Sequence, residues 1–281
     1  MTHSGADIAQ LMLAYGLHPS RALGQNFVAD PNTVRRIARL SGAGPSTRVL
    51  EIGAGLGSLT LALAETGAAV VAVETDRHLL PALRAVVEPA GVDVVEGDAL
   101  TMDLGALLEA HGGGSWSLVA NLPYNVATPL VLRTLVEVPA VVDLLVMVQR
   151  EVGERMAAGP GSGAYGSVSV RIAYFARAEV VGRVPPTVFV PRPRVESVLV
   201  RMERLPAPAV DPALVSYERL AEVVKAGFGQ RRKMLRRSLA GVVDPSAFEA
   251  AGVRPDARAE QLDVTAWGRL AAAVARESAV G

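Results

Sequence analysis

The chain is predicted to be α/β, with an open, mostly parallel sheet, a late antiparallel strand and a small all-helical C-terminal domain. Three observations lead there. Four apolar stretches each end in a polar or glycine-rich tip: Glu51-Ile-Gly-Ala-Gly-Leu-Gly57, Glu74, Asp98 and Asn121. Counted from Gly53, the tips lie 21, 24 and 23 residues apart, about the length of one strand, one helix and two short loops. Two later runs, Ser167–Tyr174 and Ser197–Met202, alternate in polarity and read as antiparallel strands. Past Pro206 and Pro208 the pattern is purely helical.

Taken in order, a helix is expected from Ala6 to Tyr15, capped by Ser4 and stopped at Gly16. Leu23-Gly-Gln-Asn-Phe-Val28 breaks the periodicity, and a helix follows from Pro31 to Leu40. Strands are expected at Arg48–Ile52, Val70–Glu74, Val92–Glu96, Ser117–Asn121 and Val141–Gln149, with helices beginning near Ser58, Arg77, Leu104 and Thr128. The proline-rich stretch Val184–Arg194 reads as a loop. A boundary near residue 205 divides the chain into a catalytic domain, 1–204, and a helical domain, 205–281. In an open parallel sheet ligands bind at the carboxyl ends of the strands, so all four tips are expected around one crevice.

Composition narrows the chemistry. With no cysteine, disulfides, thiolate metal sites and covalent activation of a pyrimidine by a thiolate are excluded. The four histidines, His3, His18, His78 and His111, show no ligand spacing, so no metal is expected. Apolar runs such as Leu144–Val148 are too short to span a bilayer. No export signal is legible, and a cytoplasmic location is expected. The net charge of zero conceals an asymmetry. Residues 46–150 hold 5 basic and 12 acidic side chains, whereas 183–237 hold 12 basic and 5 acidic. The densest part, Gln230-Arg-Arg-Lys-Met-Leu-Arg-Arg237, carries no acid, which suits a local patch for a polyanion better than a solvated surface.

The tips then read as a site. Glycines at 53, 55 and 57 let the backbone turn tightly into a helix and approach a ligand. Ser58 stands three residues after Gly55, where a dinucleotide-binding fingerprint needs glycine. The spacing G-x-G-x-G after Glu51 instead resembles the first motif of class I S-adenosylmethionine methyltransferases. Glu74 offers a carboxylate to ribose hydroxyls and Asp98 an acceptor for an adenine amino group. A helix cap is the plainer role for either acid alone; the ordered set describes an adenosine-shaped pocket.

Asn121-Leu122-Pro123-Tyr124 points to what is methylated. An exocyclic base amine is a poor nucleophile because its lone pair is delocalised into the ring. The Asn121 side-chain oxygen and the Leu122 carbonyl would accept from that amine, Pro123 would set the turn, and Tyr124 would stack on the base. Positioning of this kind needs no strong general base. The plainer reading is a turn that caps the sheet.

On these motifs the chain resembles the ribosomal RNA adenine dimethyltransferase family, in its small-subunit (16S) branch, with a Rossmann-like fold. The resemblance runs from about residue 21 to residue 270. It includes Leu23–Val28, Val49–Thr60, Glu96–Leu100, Asn121–Val126, Val148–Val152, Tyr165–Val170, Phe189–Ser197 and Phe228–Lys233. It implies S-adenosylmethionine as methyl donor, held by Asn26, Val28, Gly53, Gly55, Glu74, Asp98, Ala99 and Asn121. It implies stacking of the target adenine on Tyr124, with Phe189 on the other face. The substrate implied is a pair of adjacent adenosines in a 3′-terminal hairpin loop of 16S rRNA, in a small-subunit precursor, methylated by a monomer. Arg192 and Arg194, in the proline-rich loop, and Arg231, Arg232, Lys233, Arg236 and Arg237 would hold RNA phosphates. Two departures are Val28, where leucine is more usual, and Val195-Glu196-Ser197, where the family shows Val-Asp-Ser. The rivals are an antibiotic-resistance dimethyltransferase of 23S rRNA, a small-molecule methyltransferase and a non-catalytic assembly factor.

Overall fold

The computed structural model describes residues 2–20 and 23–278. Contacts divide the chain into two units, Met1–Gly153 with Val180–Glu203, and Glu154–Glu179 with Arg204–Gly281.

The first unit opens with α1 (Gly5–Ala14), capped by Ser4, whose hydroxyl accepts from the Asp7 N–H while Asp7 accepts from the Ser4 N–H. The short strand β1 (Phe27–Val28) and α2 (Pro31–Leu40) follow. Asp30 caps α2 ahead of Pro31, whose missing N–H costs nothing at that position. Then come β2 (Arg48–Ile52), α3 (Ser58–Ala64), β3 (Ala69–Glu74), α4 (Leu80–Val87), β4 (Asp93–Glu96), α5 (Leu104–Ala110), β5 (Trp116–Asn121), α6 (Ala127–Glu137) and β6 (Val141–Gln149). The middle strands are nearly continuous in Val, Leu and Ala and are buried along their length, as strands covered on both faces must be.

Three more strands follow later in the chain: β7 (Ala176–Val184), β8 (Phe189–Val190) and β9 (Ser197–Arg204). The large sheet has the order β4-β3-β2-β5-β6-β9-β7. Strands β2 to β6 pair in parallel, and β9 lies antiparallel to β6, so the late antiparallel strand at 197 is present. The chain winds outward from β2 in one direction and from β5 in the other, which puts the topological switch, and a ligand crevice, between their carboxyl ends. A separate ribbon pairs Phe27 with Val190 and Val28 with Phe189. It falls in the stretch read as a loop and anchors the segment that precedes α2.

Two expectations are corrected. Ser167–Phe175 is a helix, here α8 after α7 (Arg150–Met156), and not a strand. Short apolar runs satisfy both periods, and packing decides between them. Val170 and Tyr174, one turn apart, both enter the core of the second unit, and the Ser169 hydroxyl accepts from the Gly166 N–H at the helix start. The strand β7 was not foreseen. It lies at the sheet edge, where Arg177, Glu179 and Arg183 share one face with Val181, and the small Ala178 and Gly182 on the other face leave little apolar signal to read.

The second unit adds α9 (Tyr217–Gly229), α10 (Leu235–Ser238), α11 (Pro245–Ala250) and α12 (Val264–Ser278). Its core gathers Tyr165, Val170, Tyr174, Leu220, Val224, Leu235, Phe248, Trp267 and Leu270. Gly227 lets α9 and α12 meet closely, since a Cβ there would lie 2.4 Å from the Trp267 ring. The Tyr165 hydroxyl donates to the Leu262 carbonyl at 2.9 Å. Because Glu154–Glu179 belongs to this unit, the division is discontinuous in sequence, a feature a single boundary near 205 does not contain.

Candidate active site

A cleft opens where the ends of β2, β3, β4 and β5 converge, closed on one side by residues 23–28. It is lined by Asn26, Val28, Gly53, Gly55, Glu74, Asp98, Ala99, Asn121, Leu122, Pro123 and Tyr124, all read from the sequence as site residues. Residues from Gly53 to Tyr124, 71 positions apart in sequence, therefore share one wall because each ends or follows a strand of a parallel sheet, while Asn26 and Val28 reach it from the antiparallel ribbon.

The glycine turn shows why these positions carry no side chain. Gly53, Gly55 and Gly57 have φ of 75°, 59° and 83°, a region costly for other residues. A Cβ on Gly55 would press the Phe27 ring at 3.1 Å, and one on Gly57 would lie 2.7 Å from a Val87 methyl. The turn is tied to β3 by the Glu74 carboxylate, which accepts from the Gly55 N–H at 2.7 Å through one oxygen. The other oxygen accepts from the Thr75 and Asp76 N–H groups at 3.0 and 2.9 Å. Burial raises the Glu74 pKa, and these three N–H donors offset part of the rise. A carboxylate has about four lone-pair sites, so one remains for a ligand.

Glu51, within β2, also lines the cleft and is 1 % exposed. Burial pushes its pKa up to about 8, the Thr60 hydroxyl nearby lowers it and the charge of Glu74 raises it further. Its Oε2 has no protein partner. A buried carboxyl of this kind is protonated at neutral pH.

Asp98 is exposed, with Oδ1 accepting from the Leu100 N–H at 2.9 Å and the loop closed by Thr101 and Met102 N–H groups on the Asp98 carbonyl. Arg133 of α6 holds that loop from behind. Its guanidinium donates to the Ala99 carbonyl at 2.6 Å, the Met102 carbonyl at 2.9 Å and Glu137 at 2.7 Å. No spacing rule connects Arg133 to Ala99, and sequence reasoning missed it.

The tetrad sits where β5 ends. The Asn121 side-chain N–H donates to the Asn26 carbonyl at 3.0 Å, which fixes the amide's orientation and leaves its oxygen as the acceptor. The covering segment packs on the turn, with a Gly24 Cβ position 3.4 Å from Pro123. Leu122 is anchored by its N–H on the Met147 carbonyl at 3.1 Å, and the Pro123 carbonyl starts α6 by accepting from Val126 and Ala127. The Gln25 amide joins the same segment to Asp76, at 2.8 Å.

Phe189 is not brought to the cleft. It is 3 % exposed, opposite Val28 in the ribbon and packed in the cluster that contains Val34 and Ile37. Its position on β8 turns the ring to the core, where it supports the covering segment. The basic side chains Arg192, Arg194, Arg231, Arg232, Lys233, Arg236 and Arg237 are all exposed. Arg231 is already engaged, with Glu260 at 3.0 Å and the Gly163 carbonyl at 2.7 Å. Among the described residues no group of three or more metal-ligating side chains forms, and no helix is long and apolar enough to cross a membrane.

The fold is that of a class I S-adenosylmethionine-dependent methyltransferase. A solved 23S rRNA methyltransferase, ErmE, superposes with a TM-score of 0.68 at 25 % identity, covering 89 % of this chain and 99 % of that one. A dimethyladenosine transferase from Plasmodium falciparum superposes with a TM-score of 0.70 at 21 % identity, covering 86 % and 94 %, and supports the fold.

Residues 18–276 match the family model for ribosomal RNA adenine dimethylase. Relatives named ribosomal RNA small subunit methyltransferase A include that of Leifsonia xyli, 47 % identical over 95 % of this chain and 96 % of its own. That of Bifidobacterium adolescentis is 44 % identical over 96 % and 93 %. The chain belongs to the ribosomal RNA adenine dimethylase family, and the enzyme expected from the sequence, an rRNA adenine dimethyltransferase, is the one this family defines.

Proposed function

We propose that the protein transfers methyl groups from S-adenosylmethionine to the N6 amines of two adjacent adenosines in a 3′-terminal hairpin loop of 16S rRNA. It does so as a cytoplasmic monomer acting on a precursor of the small ribosomal subunit. The observation that carries the reading is the Asn121 amide, turned by the Asn26 carbonyl so that its oxygen is the free acceptor, at the mouth of a cleft built from Gly53, Glu74 and Asp98.

The residues present fit the methyl donor. Glu74 retains one acceptor for ribose hydroxyls, Asp98 retains Oδ2 for an adenine amino group, and Ala99 offers a small apolar wall. Asn26 and Val28 close the cleft over the ligand. When bound, S-adenosylmethionine supplies an electrophilic methyl on a sulfonium centre. Asn121 Oδ1 and the Leu122 carbonyl accept from the target amine and turn its lone pair outward. Tyr124 stacks on the splayed base, and the proton leaves to water. The exposed cations Arg192, Arg194, Arg232, Lys233, Arg236 and Arg237 hold phosphates, while Arg231 braces the turn that carries Arg232 and Lys233.

The test is parallel incubation with radiolabelled S-adenosylmethionine of small subunits lacking the methyl groups, large subunits and naked rRNA. Label in dimethyladenosine of the small subunit is expected. Label confined to 23S rRNA would transfer the reading to the antibiotic-resistance type, and tight subunit binding without label would indicate an assembly factor.

A further inference from the structure

Tyr124 sits in a turn, yet its ring is held at both ends. The Cα is fixed by the Pro123 turn, and the phenol oxygen lies 3.1 Å from the Ser197 hydroxyl. Ser197 is 0 % exposed and is the first residue of β9, paired with Gln149, the last of β6. The residue before it is clamped as well. The Glu196 carbonyl accepts from the Arg150 N–H at 3.0 Å, and its carboxylate accepts from the Arg150 guanidinium at 3.0 Å. A side chain on a turn keeps freedom in χ1 and, for an aromatic ring, a broad χ2. A hydrogen bond at the far tip of the ring fixes χ1 and with it the axis of the ring, since χ2 turns about that axis and leaves the phenol oxygen in place. A buried hydroxyl also needs a partner, and the Tyr124 phenol is the one at hand.

We propose that Ser197 is a positioning residue that sets the place and the axis of the Tyr124 ring and, through them, where its stacking surface meets the target adenine. The proposal rests on the reading of Tyr124 as the stacking plate. It gives a role to the serine of Val195-Glu196-Ser197, and it explains why a tyrosine rather than a phenylalanine ends the tetrad. The sheet supplies the rigid reference, because Ser197 is carried by a strand hydrogen-bonded along β6 while the tetrad is carried by a turn.

The test compares Ser197→Ala, Tyr124→Phe and the double variant. Two quantities are read: the single-turnover methyl-transfer rate on unmethylated small subunits, and the quenching of 2-aminopurine placed at the target position of an RNA hairpin as a binding probe. Each single variant should slow transfer about fivefold, equivalent to roughly 1 kcal/mol, the worth of one hydrogen bond. Quenching should fall in both, S-adenosylmethionine affinity should stay unchanged, and the double variant should be no slower than either single one. Full rate in Ser197→Ala overturns the proposal. So does a double variant slowed by the product of the two single effects, since the hydroxyl would then act on something other than Tyr124. If Ser197→Ala fails to fold, Tyr124→Phe decides alone, and undiminished quenching and rate there overturn the proposal. Tyr124→Ala keeps the two readings apart: retained quenching and rate in that variant would remove the stacking plate itself, whatever Ser197 does.

Discussion

Glu51→Gln isolates the energetic consequence of burying a carboxyl in the middle of β2. The native side chain is 1 % exposed, one of its oxygens lacks a protein partner, and its pKa is pushed up to about 8 from an ordinary 4.5, chiefly by burial. In the unfolded chain the group ionises near its ordinary value. Between the two values the folded protein keeps a proton that the unfolded chain has lost, so stability falls as pH rises. The slope is about 1.4 kcal/mol per pH unit, and it flattens above the folded value. Across the interval the loss is on the order of 5 kcal/mol, comparable to the whole stability of many domains. Glutamine keeps the shape and never ionises. The stability difference between Glu51→Gln and the native protein should therefore widen steadily from about pH 5 to pH 8 and then stay constant. The assay is guanidinium unfolding across that range, read by hydrogen exchange of β2 peptides so that the first unit is followed by itself. Parallel curves for the two proteins from pH 5 to pH 9 would refute the reasoning, because they would mean that Glu51 is ionised in the fold.

The other expectations concern ligands. Glu74→Ala should weaken S-adenosylmethionine binding by roughly 1–3 kcal/mol while RNA affinity stays nearly constant, as calorimetry would show; unaltered cofactor affinity would remove Glu74 from the site. Arg133→Ala releases the Ala99 and Met102 carbonyls and should raise the S-adenosylmethionine dissociation constant about tenfold without changing the salt dependence of RNA binding. A calorimetric titration that matches the native protein would show that the Asp98 loop holds its shape unaided. Replacing Arg232 and Lys233 together by alanine should flatten the log–log salt dependence of subunit binding by about one to two units. Arg231→Ala should leave the slope nearly unchanged, because that guanidinium is already paired with Glu260; a loss of about one unit would place Arg231 among the phosphate contacts.

The amino-acid order alone determined the frame of this protein. The G-x-G-x-G turn, the acids near 74 and 98 and the Asn-Leu-Pro-Tyr tetrad recur at the period of a βα unit, and a parallel sheet has one edge where strand ends gather. Positions 53, 74, 98 and 121 therefore meet in one cleft without any knowledge of packing. The cap of the first helix was equally legible, because Ser4 acts on an N–H group three residues away.

What depends on contacts between distant residues was not legible. Ser167–Phe175 alternates like a strand, and only the core formed with Leu220 and Trp267 makes it a helix. Phe189 has the composition of a stacking aromatic, but the register of its ribbon with Val28 turns it inward. The commitment of Arg231 to Glu260, the grip of Arg133 on Ala99 and the bond from Ser197 to Tyr124 join residues 29, 34 and 73 positions apart. Side-chain partnerships at such separations carry no periodic signal, since they are set by where whole strands and helices pack, and only the tertiary structure decides them.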